Sequence, residues 1–181
     1  MERMSGMLSA WGQATDAQIL DLQKTTNVYW KQHYSDYMAS RDASSLLSVL
    51  SSTLFAPRGG EGAGTTVFVG HDTNIEAIGQ LLDLRYIDPR FGEEAAAPMS
   101  RLVFNLLEGP LEDSDTIETK VTHSSEPQRY VSARYYSTTL DGDVMPDDGT
   151  TVTFLGDQRL QRIGEDVFKA RVAAMLNMDC I

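Results

Sequence analysis

Residues 67–76 read Val-Phe-Val-Gly-His-Asp-Thr-Asn-Ile-Glu, and no other stretch restricts the fold so strongly. Val67, Phe68 and Val69 form a short continuous apolar run, the pattern of a strand covered on both faces. Gly70 permits a sharp bend and the close approach of a ligand. Thr73 and Glu76 stand at capping-box spacing, which predicts a helix from about Thr73. Ile75, Ile78, Leu81 and Leu82 give that helix one apolar face. The expectation is strand, tight turn, helix, with His71 and Asp72 at the carboxyl end of the strand. Ligands bind there in open α/β sheets, and the unpaired N–H groups of a helix start favour an anion.

Upstream, Thr15-Asp16 followed by Ile19, Leu20, Leu22, Val28, Tyr29 and Trp30 predicts a capped amphipathic helix to about Met38. Its far end is aromatic (Trp30, Tyr34, Tyr37) and reads as a packing face, with His33 a partly exposed helix residue. Ser40-Arg41-Asp42 interrupts the pattern, and Leu46, Leu47, Val49, Leu50 and Leu54 resume it, which predicts a second helix over 43–54. Arg41, in the interruption, lies within reach of an anion. A solvated or Asp-paired arginine is the simpler reading of it. The glycine-rich residues 57–64 precede a strand and lack a Gly-Lys-Ser/Thr ending, so they are a connection and not a phosphate loop.

Downstream, 83–98 reads as a long loop and 102–107 as a strand. Ile117, Thr119 and Val121 alternate with charged residues as a half-buried strand ending at His123, and 130–139 is β-rich. Residues 141–149 form an acidic loop, 151–155 a short strand, and 158–177 a closing helix with Leu160, Ile163, Val167, Ala170 and Ala174 on one face. The fold class expected is α/β, a mixed sheet with one parallel crossover and helices on its faces. It comprises a helical part over 1–56 and an α/β part over 65–181.

Charge and composition remove several function classes. The net charge of −11 makes the chain a poor nucleic-acid binder, because phosphate backbones need clustered Lys and Arg. No apolar run reaches membrane-span length, so no membrane partner is expected. Cys180 is the sole cysteine, which rules out an internal disulfide and suits a reducing compartment. The first residues lack the apolar core of a signal peptide, so the chain is cytoplasmic or its natural start lies upstream. There is no CxxC, HExxH, Gly-x-Ser-x-Gly or GxGxxG, so no metal, cofactor or dinucleotide site is expected.

The His71-Asp72 pair remains. Beside a phosphate monoester, Asp72 can protonate the basic alkoxide that leaves as the P–O bond breaks. A protonated His71 can place a charge-assisted hydrogen bond on a phosphoryl oxygen, and the Thr73 hydroxyl adds a donor. Asp72, Thr73 and Asn74 are equally good N-cap residues, so a purely structural role stays open.

At this motif the chain resembles the histidine acid phosphatases, the branch that includes bacterial phytases and periplasmic glucose-1-phosphatases. Residues 67–84, with Gly70-His71-Asp72-Thr73-Asn74, are similar to that family's second signature. Trp11-Gly12, the 40–54 stretch, Leu102-Val103-Phe104, Tyr135-Tyr136 and the helix before Cys180 are similar more loosely. The resemblance implies a partial histidine-phosphatase (phosphoglycerate-mutase-like) fold and a two-step phosphomonoesterase acting through a phosphorylated histidine. It makes His71 the phosphate-binding histidine and Asp72 the proton donor. Thr73 lines the pocket, and Arg41 lies near a position that touches substrate. It also implies a periplasmic or secreted protein.

The family's nucleophile sits in an Arg-His-Gly-x-Arg-x-Pro motif. Here the histidines follow Gln32, Gly70 and Thr122, so that motif has no match. The chain is similar to the C-terminal half only, which implies a partner segment bearing the nucleophilic histidine. The alternative is a non-catalytic phosphate-binding or interaction module derived from that family.

Overall fold

The computed structural model describes residues 7–57, 64–88, 92–97, 99–109, 128–137, 149–155 and 160–181. The expected strand over 117–121, His123 and the acidic loop over 141–148 lie outside them. Two long helices come first, α1 (Asp16–His33) and α2 (Asp36–Leu54), followed by α3 (Asp72–Leu82). A small antiparallel hairpin, β1 (Ile87–Asp88) and β2 (Gly92–Glu93), leads to β3 (Arg101–Gly109) and β4 (Gln128–Tyr136). Two short strands, β5 (Thr150–Val152) and β6 (Arg162–Gly164), precede α4 (Glu165–Met175). The coarse expectation of helices packed on a sheet holds.

Strand β4 organises the sheet. It pairs along its whole length with β3, and its other edge is shared by β5 and β6. The alternation is period two: Val131, Ala133 and Tyr135 are buried, and their cross-strand partners Leu106, Phe104 and Leu102 pack against the same core. Helices α2, α3 and α4 supply the other side of that core through Ala39, Ala43, Leu47, Ala77, Ile78, Leu81, Leu82, Phe168 and Val172. Phe168 is fully buried and meets the rings of Phe55, Phe104 and Phe154 edge-on, so it joins α4 to both α2 and the sheet.

Several local expectations are corrected. The helix break falls at Tyr34-Ser35, not at Ser40-Asp42. The Ser35 hydroxyl accepts the Met38 N–H as the N-cap of α2, and the Ser40 hydroxyl donates back to the Tyr37 carbonyl without leaving the helix. Helix α1 packs little: Leu22, Val28, Tyr29 and, beyond it, Tyr37 are exposed, while Tyr34 is buried. The closing helix is α4 alone. Leu160 and Ile163 lie in extended backbone before it, and its core-facing residues are Phe168 and Val172 rather than Val167, Ala170 and Ala174. Arg162 and Ile163 pair with β4 before the helix can start, so tertiary pairing overrides local propensity.

The largest correction concerns Val67, Phe68 and Val69. They form no strand, and Val67 and Val69 are 77% and 96% exposed. Every described strand pair is antiparallel, so the expected parallel crossover is not formed among the described residues. An apolar run reports the tendency to pair, but a buried strand also needs hydrogen-bonded neighbours on its flanks, and no described strand pairs with these residues.

Chain ends and helix ends are tied by polar contacts. The Arg171 Nε donates to the Leu81 carbonyl at 3.0 Å, and the Leu84 N–H donates to the Gly79 carbonyl at 2.8 Å past the left-handed Asp83. The buried Ser44 hydroxyl accepts the Asn177 N–H at 2.8 Å, which holds the C-terminal turn on α2. Replacing Phe168 by Ala empties the centre of the core, and chemical unfolding will show a loss of about 3–5 kcal/mol. The same change at the exposed Val167 will cost far less.

Candidate functional site

Helix α3 begins one residue earlier than its sequence spacing predicts. His71 is the N-cap, and Asn74 takes the place expected of Thr73 and Glu76: the His71 carbonyl accepts the Asn74 N–H at 3.1 Å, and Asn74 Oδ1 accepts the His71 N–H at 2.8 Å. The Asp72 carboxylate accepts the Thr73 N–H through Oδ1 at 2.8 Å. One donor of the first turn, the Thr73 N–H, and the N–H of the N-cap residue itself are thereby satisfied by side chains. Gly70 is required by this arrangement, since a Cβ there would lie 2.5 Å from Asn74 Oδ1. The close approach it permits is that of the Asn74 side chain.

His71 and Asp72 are adjacent, exposed and at the positive end of an eleven-residue helix. The imidazole of His71 makes no cap hydrogen bond, so its ring nitrogens face outward with the side chain. The pair therefore offers one N–H donor and one carboxyl group at the surface. Thr73 is half-buried behind them, and its side chain hydrogen-bonds the phenol of Tyr34. Burial, then the charge of Asp42, pushes that phenol above its ordinary pKa, so Tyr34 stays neutral and holds Thr73 in place.

Arg41 is not in a loop. It lies in the second turn of α2, exposed, with Nη1 donating to the Tyr37 hydroxyl at 3.1 Å and the guanidinium 5.7 Å from the Tyr37 ring centroid. That is an i,i+4 pair along one helix face. His71, Asp72 and Thr73 are brought together by one helix start; Arg41 belongs to another helix and is engaged by its own neighbour.

Glu76, whose spacing from Thr73 suggests a capping role, has the most perturbed carboxyl chemistry nearby. Glu76, one turn after Asp72, lines a small cavity with Lys31, Tyr34, Leu84, Tyr86 and Glu94. At about 20 Å³ the cavity has room for one water molecule and is too small for a phosphomonoester. Glu76 Oε1 accepts the Ala96 N–H at 3.1 Å. Its pKa is pushed up to about 7, first by burial and then by Glu94 and Asp72, against the opposing pull of the Ala96 N–H and Lys31. Glu94 is neutralised separately by Lys31 at 3.2 Å and by Arg85 at 3.1 Å. The only sequence signal for this cluster was the glutamate itself. Its partners come from other elements, twenty residues away in the case of Ala96. Among the described residues no group of three or more His, Cys, Asp or Glu is arranged to hold a metal ion, and no helix is long and apolar enough to cross a membrane.

A carboxyl pKa raised on folding binds its proton more tightly in the folded state. Its contribution to stability is present below the unfolded value and is lost as pH rises toward 7. Glu76→Gln keeps an acceptor for Ala96 without the charge. It will raise the melting temperature at pH 8 relative to wild type by several degrees, on the order of 1–2 kcal/mol after allowance for partial exposure. At pH 4.5 the two proteins will melt together. In comparison with family models, with curated proteins and with solved structures, the chain matches none.

Proposed function

We propose that this chain is the phosphate-binding and proton-donating portion of an acid-phosphatase-type phosphomonoester hydrolase with a partial histidine-phosphatase fold. The observation that carries the reading is the Gly70–Asn74 turn, which presents His71 and Asp72 side by side and exposed at the start of α3. An oxyanion seated there meets the helix N-terminus and the exposed imidazole of His71. Asp72 donates its proton to the leaving alkoxide as the P–O bond breaks, and the phosphoryl group passes to a histidine nitrogen. Water then attacks phosphorus, its proton returns to Asp72, and inorganic phosphate leaves.

The nucleophilic histidine comes from a partner segment, because the histidines of this chain lack the Arg-His-Gly context. Residues 65–70, which lead into the site outside any helix or strand, support an incomplete catalytic centre. They make no backbone hydrogen bond among the described residues, and they expose Val67, Phe68 and Val69. On this reading the isolated chain binds phosphate weakly and turns nothing over. The alternative, a module that binds phosphate without catalysis, shares the weak binding and turns nothing over even when the partner segment is supplied.

NMR titration with inorganic phosphate at pH 5 will shift the His71 ring and the Asp72, Thr73 and Asn74 amides with a millimolar dissociation constant. His71→Ala will abolish the response. An aryl phosphate will be hydrolysed at pH 4–6 only when a segment bearing Arg-His-Gly is joined to the chain, and Asp72→Asn will slow that turnover by about 10²-fold or more. Amides unmoved at tens of millimolar phosphate would remove both readings. Phosphate binding without turnover in the joined protein would leave the binding module.

A further inference from the structure

Strand β3 is a sheet edge without the devices that keep edges from pairing. It is nine residues long and pairs with β4 along one side in an unbroken register with no bulge. Its other side makes no backbone hydrogen bond among the described residues, and residues 65–69 do not take it. Residues 102–107 hold no charge and no proline, either of which would discourage a further strand. At the far margin of the sheet, β5 and β6 are three residues each, too short to template a partner. Leu102, Phe104 and Leu106 are half-buried, whereas the residues opposite them on β4, Tyr135, Ala133 and Val131, are buried. The core therefore ends at β3 with apolar side chains still partly in water.

We propose that β3 pairs with β3 of a second copy of this chain, antiparallel about a two-fold axis at Asn105, so that two sheets join into one. The inference is independent of the phosphomonoester reading. The charges at the two ends of the strand select the occupant and its direction. Arg101 opens β3 and Glu108 stands next to its last residue, both exposed. An antiparallel copy sets Arg101 opposite the partner's Gly109 and beside the partner's Glu108. A parallel copy would align arginine with arginine and glutamate with glutamate. About that axis Asn105 meets its own copy, Val103 meets Leu107, and Phe104 meets Leu106, so apolar side chains of both chains close over one another. The contact is isologous and closes after two chains. The N–H and C=O groups that face away from β4 gain partners they lack in a single chain.

Sedimentation of the whole chain across micromolar to millimolar concentrations tests this without a variant and will show a monomer giving way to a dimer. Hydrogen exchange will show the outward amides of β3 gaining protection over the same range. Asn105 lies half-buried opposite Ser132, on the face away from the helices, where a charged side chain reaches water in the monomer. Asn105→Lys and Asn105→Asp will each set like charges face to face and weaken association about tenfold or more. An equimolar mixture of the two variants will restore the dimer, which two misfolded proteins could not do. A monomer at millimolar concentration, a dimer that either variant leaves intact, or a mixture that stays monomeric would each overturn the proposal. So would protected outward β3 amides in a monomer, since another part of the chain would then occupy the edge.

Discussion

The hydroxyl of Tyr135 is the interaction on which the most of this molecule converges. Tyr135 sits in the doubly paired strand β4, fully buried, with its ring stacked 4.3 Å from that of Tyr86. Its hydroxyl bridges Ala95 and Ala97. A buried phenol needs a partner, and here one group satisfies a carbonyl and an N–H of the same irregular segment. That segment in turn lies on Glu76 of α3. Sheet, hairpin and helix are therefore linked through one aromatic residue, and the position of α3 relative to the sheet depends on it.

Helix α3 carries two requirements that pull in different directions. Its start must satisfy backbone donors, and Asp72 and Asn74 do so with their side chains. The same donors and the same two side chains are what an oxyanion would use. Capping and anion binding compete for one set of hydrogen bonds, and an incoming phosphate would take over the donors that Asp72 now accepts. The acidic neighbours of this helix add a second tension. Asp72 and Glu76 are one turn apart on a face that also meets Glu94, so one carboxyl group keeps its proton more readily than an isolated one would. Burial chooses Glu76 as that group, since Asp72 is exposed.

Patterns with a strictly local cause were legible. The strand at Arg101–Gly109 and the strand at Gln128–Tyr136 follow from β-rich runs, and the apolar face of α3 follows from Ile78, Leu81 and Leu82. The contiguity of His71, Asp72 and Thr73 at a helix start follows from cap chemistry. Misreadings arose where a local pattern needed a distant partner. Leu160 and Ile163 carry helical spacing yet lie in extended backbone because β4 offers them an edge. Val67, Phe68 and Val69 carry strand composition and find no edge among the described residues. Ser40-Arg41-Asp42 looked like a break because polar residues favour turns, but the helix runs through them once Ser35 supplies the cap.

By itself, the amino-acid sequence determined the elements whose hydrogen bonds close within a few residues: α3, its capped start, and the apolar alternation of the main strands. It also determined which groups could meet an anion there, since neighbouring residues at a helix start must share one end of its dipole. Only the tertiary structure decided which edges of β4 were taken, and it leaves residues 65–70 in no strand pair among the described residues. Only it placed Glu76 against Ala96, Lys31 and Glu94. Burial and charge proximity are properties of three-dimensional neighbours, and those neighbours come from α1 and from the segment after β2.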